Sequence, residues 1–133
     1  MIGRLNHVAI AVTDLKSATN TYRDILGAKV GEPLDQPEHG VTVVFIELPN
    51  TKVELITPLG ENSPIFNFLN KNKNGGIHHI CYEVKNLELS INILMKNNYK
   101  IIGDNPKIGA HGKPVIFLHP SGFDGTLIEL QEE

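Results

Sequence analysis

Four residues of this sequence have side chains that bind divalent metals, and they recur as two pairs: His7 with Glu54, and His79 with Glu129. Two neutral imidazoles and two carboxylates suit a first-row divalent ion or zinc, with coordination positions left for water or substrate. The charge of such a complex is near neutral, which a partly buried cleft tolerates. A single His or Glu on a half-exposed strand is more often a solvated residue than a ligand. Recurrence is what raises these four above that baseline. The stretch Leu5-Asn6-His7-Val8-Ala9-Ile10-Ala11-Val12 resembles Ile77-His78-His79-Ile80-Cys81-Tyr82-Glu83-Val84 at an offset of 72, and Leu15 and Leu87 follow at the same offset. Val53-Glu54-Leu55 resembles Ile128-Glu129-Leu130 at an offset of 75, and the three extra residues fit the longer turn Pro120–Gly125 compared with Pro49-Asn50-Thr51. His78 adjoins His79, and the alignment with His7 selects His79.

The elements that must carry these residues follow from periodicity. Residues 5–12 read as a strand with Val8, Ile10 and Val12 on one face and His7, Ala9 and Ala11 on the other. Residues 77–84 place Ile80, Tyr82 and Val84 opposite His79, Cys81 and Glu83. Val53 and Leu55 flank Glu54, and Ile128 and Leu130 flank Glu129, so each polar residue points away from its unit's apolar side. Asp14 is a good N-cap for a helix over about 15–26, which Gly27 ends. Strand signal is weak over 28–34 and stronger over 41–48 and 52–57. A short helix is expected over about 64–70. The second copy predicts a strand at 77–84, a helix at 87–97, and strands at 99–103, 114–119 and 126–131. Each copy is therefore βαβββ and cannot close a core alone. The expectation is one α+β domain of two pseudo-symmetric units, about 4–60 and 76–133, joined by 61–75 with Lys71-Asn72-Lys73-Asn74 as a solvated linker.

At 133 residues the chain is long enough for one compact domain, and 41% hydrophobic with 20% charged residues is ordinary for a globular one. A net charge of −3 argues against a broad nucleic-acid surface, though not against a local basic patch for a phosphorylated cofactor. The single cysteine, Cys81, excludes an internal disulfide and fits a reducing compartment. No apolar run reaches membrane-spanning length, and the first 15 residues read as a strand and a helix start rather than a cleavable signal. Cytoplasm is the expected location.

The sequence resembles the vicinal-oxygen-chelate, glyoxalase-like superfamily and, within it, the methylmalonyl-CoA epimerases. The residues that carry the resemblance are Asn6–Val12, Glu38-His39-Gly40-Val41, Lys52–Leu55 with Pro58-Leu59-Gly60, Gly75–Ile80, and the run Lys107–Pro120. The paired His and Glu identify the superfamily; Gly75–Ile80 and Lys107–Pro120 are specific to the epimerases. The resemblance covers nearly the whole chain and implies two βαβββ units forming an open, curved mixed sheet around a metal. It implies metal binding by His7, His79 and Glu129 with Glu54 in the fourth position, where some relatives carry Gln. Co²⁺ is the first expectation for the ion, with Ni²⁺, Mn²⁺ or Zn²⁺ as alternatives. The implied reaction interconverts (R)- and (S)-methylmalonyl-CoA through a metal-stabilised enolate, in propionate metabolism, with a CoA thioester as substrate and a homodimer as the assembly.

Inverting a stereocentre requires proton removal on one face and delivery on the other. Glu129 is one candidate base, and Glu54, His111 or Glu47 the other. His111 sits in the Gly-rich run Gly109-Ala110-His111-Gly112-Lys113, which can approach a ligand closely. Glu47, before Pro49, reads better as a solvated strand end. Some relatives carry an acid in the strand after the Gly-Val pair, where this chain has Val43. Lys107 and Lys113 are candidates to meet carboxylate or CoA phosphates. His119-Pro120 reads as a strand end, His39 as a loop residue and Cys81 as a small packing residue. Two other readings stand beside the epimerase: a type I glyoxalase (lactoylglutathione lyase) with the same ligand types, and a non-catalytic small-ligand-binding member of the superfamily.

Overall fold

A computed structural model describes all residues, Met1–Glu133. Nine strands hydrogen-bond into a mixed sheet, accompanied by three α-helices. In chain order these are β1 (Ile2–Ala11), α1 (Leu15–Asn20), β2 (Lys29–Val30), β3 (Leu34–Gln36), β4 (Val41–Glu47), β5 (Lys52–Pro58), α2 (Ile65–Lys71), β6 (Gly76–Val84), α3 (Leu87–Lys96), β7 (Ile101–Ile108), β8 (Pro114–Leu118) and β9 (Ile128–Glu132). The strand order is β2-β4-β5-β1-β6-β9-β8-β7, with β3 also on β4. The repeat is thus visible in topology, because β1-β5-β4-β2 and β6-β9-β8-β7 are the same sequence of neighbours. No helix is long and apolar enough to cross a membrane.

Two compact units divide the chain: Val8–His78, and Met1–His7 together with His79–Glu133. In the first, Val44, Ile46 and Leu55 are fully buried, and Ile10, Val12, Leu15, Ala18 and Tyr22 pack on them. The Val8, Ile10 and Val12 side of β1 therefore faces α1, as its alternation predicts, while Ala9 and Ala11 are buried on the opposite side. In the second, Val84, Leu87, Ile116, Leu118, Ile128 and Leu130 form the core, joined by Ile80, Tyr82, Ile91 and Leu94. Here β6 pairs with β9 in parallel and β8 pairs with both β9 and β7 antiparallel.

Asp14 caps α1 by accepting from the Ser17 amide, and Gly27 follows the helical segment at φ +66°. The single helix expected over 15–26 is instead α1 followed by a wider π turn over Thr21–Ile25, closed by Leu26 N–H donating to Thr21 O at 3.0 Å. The wider turn leaves Ile25 and Leu26 exposed. The weak strand signal at 28–34 resolves into two short strands, β2 and β3, because Pro33 has no N–H to donate to the β4 ladder. The strand expected at 99–103 runs on to Ile108, with its register against β8 shifting between Ile102 and Lys107. Gly103 and Pro106 are tolerated there because β7 is the last strand of the order.

Gly75 stands at φ +80°, and a Cβ on it would collide with the carbonyl oxygen of Ala11. Both the backbone conformation and the close approach exclude a side chain. Gly75→Ala is therefore expected to destabilise the protein by about 1–3 kcal/mol, read as a lower urea midpoint; an unchanged midpoint would show that the linker relaxes freely.

Candidate metal and active site

His7, Glu129 and His79 meet inside the unit formed by Met1–His7 and His79–Glu133. His7 Nε2 lies 3.2 Å from Glu129 Oε2, and His79 Nε2 lies 3.1 Å from the same oxygen. The two Nε2 atoms are 3.3 Å apart, and their rings meet edge to face. All three side chains are buried. The backbone explains the convergence. The parallel register sets Cys81 opposite Glu129, and His79, two residues earlier on β6, shares its face. The alternate residues Ile80, Tyr82, Ile128 and Leu130 pack towards α3. One period-2 pattern thus builds the core on one side and gathers donors on the other.

The spacing of these atoms tests whether they suit an ion. Metal–donor bonds of about 2.0–2.2 Å separate neighbouring donors by about 3.0 Å at octahedral and about 3.4 Å at tetrahedral angles. The observed separations fall in that interval, so the three atoms are spaced as donors to one ion would be. Burial pushes the Glu129 carboxyl upward, but the hydrogen bonds and charges of His79 and His7 outweigh it and hold the group well below the ordinary carboxylate range.

Glu54 lies on β5 in the other unit, buried, with Phe45 of β4 as its register partner. Glu129 has Phe117 of β8 as its partner, the same relation in the second copy. Within the unit of Met1–His7 and His79–Glu133, the converging donors His7, His79 and Glu129 are able to hold a divalent ion. His111 is exposed, with its ring 6.2 Å from that of His7, and its Nδ1 is 3.4 Å from Gln131 Oε1. Phe117 meets His79 edge to face, with ring centroids 5.2 Å apart.

Other residues singled out by sequence sit as follows. Glu47 is exposed at the end of β4, in register with Lys52 and Lys29. Val43 is buried at 1% exposure, so that strand position has no group to exchange a proton. Lys107 is exposed on β7, and the exposed Lys113 donates to the Glu133 carbonyl at 3.0 Å. His78 packs against Phe68 of α2, and His39 ends a 3-10 turn. His119 caps the turn Pro120–Gly122 by accepting from the Ser121 amide. Cys81 is fully buried, and its sulfur lies with donor atoms of His7 and Glu129 in a group all within 4.8 Å. Sequence reasoning passed over Asn6, Phe117 and Gln131, which touch His7, His79 and His111. For Asn6 and Gln131 the one sequence signal is position, beside a ligand or two residues from one; Phe117 is set by strand register, opposite Glu129.

Glu129 offers a direct test in the metal-free protein. Its carboxyl has a lower pKa folded than unfolded, so its ionisation stabilises the fold above the ordinary value of 4.5, and that contribution is lost as pH falls below it. Urea unfolding of metal-free protein should show stability declining as the pH is lowered below about 4.5, and Glu129→Gln should flatten that decline. An identical pH dependence in the variant would show that the carboxyl is not held ionised by the two imidazoles.

Residues 6–117 match the family model described as Glyoxalase/Bleomycin resistance protein/Dioxygenase superfamily. The chain is 61% identical over 133 residues to an ethylmalonyl-CoA/methylmalonyl-CoA epimerase of Cereibacter sphaeroides, covering 99% of each. It is 56% identical to the mitochondrial methylmalonyl-CoA epimerase of Homo sapiens, covering 98% of this chain and 74% of that one. Among solved structures, methylmalonyl-CoA epimerase from Mycobacterium tuberculosis superposes with a TM-score of 0.91 at 29% identity, covering 98% of this chain and 88% of that one. These likenesses do not favour the glyoxalase alternative. With the donor cluster in place and the similarity running end to end, the chain belongs to the glyoxalase/bleomycin resistance/dioxygenase superfamily and, within it, to the methylmalonyl-CoA epimerase family.

Proposed function

We propose that this protein is a metal-dependent epimerase that interconverts (R)- and (S)-methylmalonyl-CoA. The observation that carries the reading is the buried convergence of His7, His79 and Glu129 in a chain of the epimerase family. By the repeat and the family resemblance, Glu54, the counterpart of Glu129, is assigned as the fourth ligand. These nitrogen and oxygen donors suit a divalent first-row ion or zinc, and the family resemblance makes Co²⁺ the first choice, with Ni²⁺, Mn²⁺ or Zn²⁺ as alternatives.

The hydrogen on C2 of methylmalonyl-CoA is acidic because the carbon lies between a thioester and a carboxylate. When bound, a divalent ion supplies Lewis acidity that draws developing charge onto the thioester oxygen. The residues of the chain do the rest. His111 carries the proton on one face; its ring stands 6.2 Å from that of His7, with Nδ1 beside Gln131 Oε1. A carboxylate of the pair Glu54 and Glu129 carries it on the other. Burial of His7 and His79, with Phe117 against the His79 ring, keeps bulk water from the donor cluster. Lys107 and Lys113 meet the CoA phosphates, with Lys113 leaving the Glu133 carbonyl to do so. The assembly is a cytoplasmic homodimer.

Incubation in D₂O with methylmalonyl-CoA should place deuterium at C2, and chelator treatment should abolish the exchange until Co²⁺ is restored. No exchange, alongside rapid lactoylglutathione formation from methylglyoxal and glutathione, would sink the reading in favour of a glyoxalase. His111→Ala should lower kcat by about 10²–10⁴-fold with metal content unchanged, measured by coupled assay and metal analysis; a kcat within a few-fold of wild type would remove His111 from proton transfer.

A further inference from the structure

The atoms behind His7 decide which of its nitrogens can face an ion. Asn6 precedes His7 on β1 and is buried at 4% exposure. Its amide nitrogen donates to Glu83 Oε1 at 2.9 Å. An ionised carboxylate only accepts, so it settles which end of the Asn6 amide is nitrogen. The other end, Oδ1, is then directed at His7 Nδ1, 2.7 Å away. A carbonyl oxygen also only accepts, so Nδ1 must hold a hydrogen, and in the neutral ring the Nε2 lone pair is then left turned to His79 and Glu129. Glu83 is held in turn by Arg4, whose Nε lies 3.3 Å from Oε2. The Arg4 side chain is 78% exposed and that of Glu83 13%, so the series runs inward from the surface guanidinium to the buried imidazole.

We propose that Asn6 is a positioning residue that holds His7 in its metal-binding tautomer, and that Glu83 acts through Asn6 by orienting the amide. The opposite tautomer would put a hydrogen on Nε2, in the middle of the donor cluster, where it excludes an ion. Partners of this kind behind a ligating imidazole fix ring orientation and raise ligand basicity. The inference rests on the metal reading above and concerns the same site.

Co²⁺ titration, followed by the visible absorption of the bound ion and by competition with a chelator, tests it without recourse to activity. Asn6→Leu should weaken Co²⁺ binding by about 10–100-fold and alter the absorption bands. Glu83→Gln should weaken it less, because a neutral amide no longer dictates which end of Asn6 faces His7. The exchanged pair N6D/E83Q should restore binding, since the new Gln donates to the new Asp, which then accepts from His7 Nδ1. A residue that merely supported the fold would not be rescued by exchanging the two groups. Folded N6L with wild-type affinity and spectrum overturns the proposal, as does an N6D/E83Q protein no better than E83Q alone. Should N6L not fold, the comparison of E83Q with N6D/E83Q decides by itself. Wild-type protein that binds no Co²⁺ overturns the metal reading itself, which separates that failure from one confined to Asn6.

Discussion

Three lone-pair-bearing atoms held within 3.3 Å of one another in a buried place are the constraint around which this structure is arranged. A buried carboxylate with no partner is destabilising by several kcal/mol, and two bare imidazole nitrogens facing it would add repulsion. Hydrogen bonds from the imidazoles to the carboxylate, or a metal ion shared among the three, relieve that repulsion. The same arrangement explains why the Glu129 carboxyl is held low despite its burial: the imidazoles favour its charged form more strongly than desolvation opposes it.

The scaffold meets that constraint through register. β6 and β9 run parallel, so the face of β6 that bears His79 and Cys81 coincides with the face of β9 that bears Glu129 and Gln131. The opposite faces supply the apolar core against α3. A one-residue slip of either strand would exchange donors for aliphatic side chains, so core packing and donor geometry specify each other. The repeat extends this logic to the first copy, where Glu54 stands opposite Phe45 as Glu129 stands opposite Phe117. The offset changes from 72 to 75 between β8 and β9, where the chain makes the 3-10 turn Pro120–Gly122 instead of a tight hairpin. Extra length is absorbed in a turn and leaves the ligand-bearing registers intact.

Around the donors, the partners differ in kind. His7 is backed by a fixed polar group, Asn6, whereas His79 is flanked by the ring of Phe117. His111 sits on a loop and is exposed, with Nδ1 3.4 Å from Gln131 Oε1. Rigid strands thus hold the ligands, while the residue assigned to proton transfer belongs to a segment with more freedom, a division suited to a substrate that must enter and leave.

Much of this was readable from the sequence because strand alternation is a local property and repetition is visible by alignment. Helix caps at Asp14 and Gly27 follow from residue types at short spacing, and the recurrence of His7 and Glu54 as His79 and Glu129 from alignment of the two copies. The π turn at Thr21–Ile25 was not readable, because it arises where helix packing competes with the hydrogen-bond ladder. Nor was the extension of β7 through Pro106, which depends on that strand having a free edge. The distances among His7, His79 and Glu129, and the hydrogen-bonded series from Arg4 through Glu83 and Asn6, join residues 50 or more positions apart. The sequence alone determined which chemical groups were available and which face of each strand they occupied. Only the tertiary structure decided which atoms meet, because that depends on how strands distant in the chain align and pack.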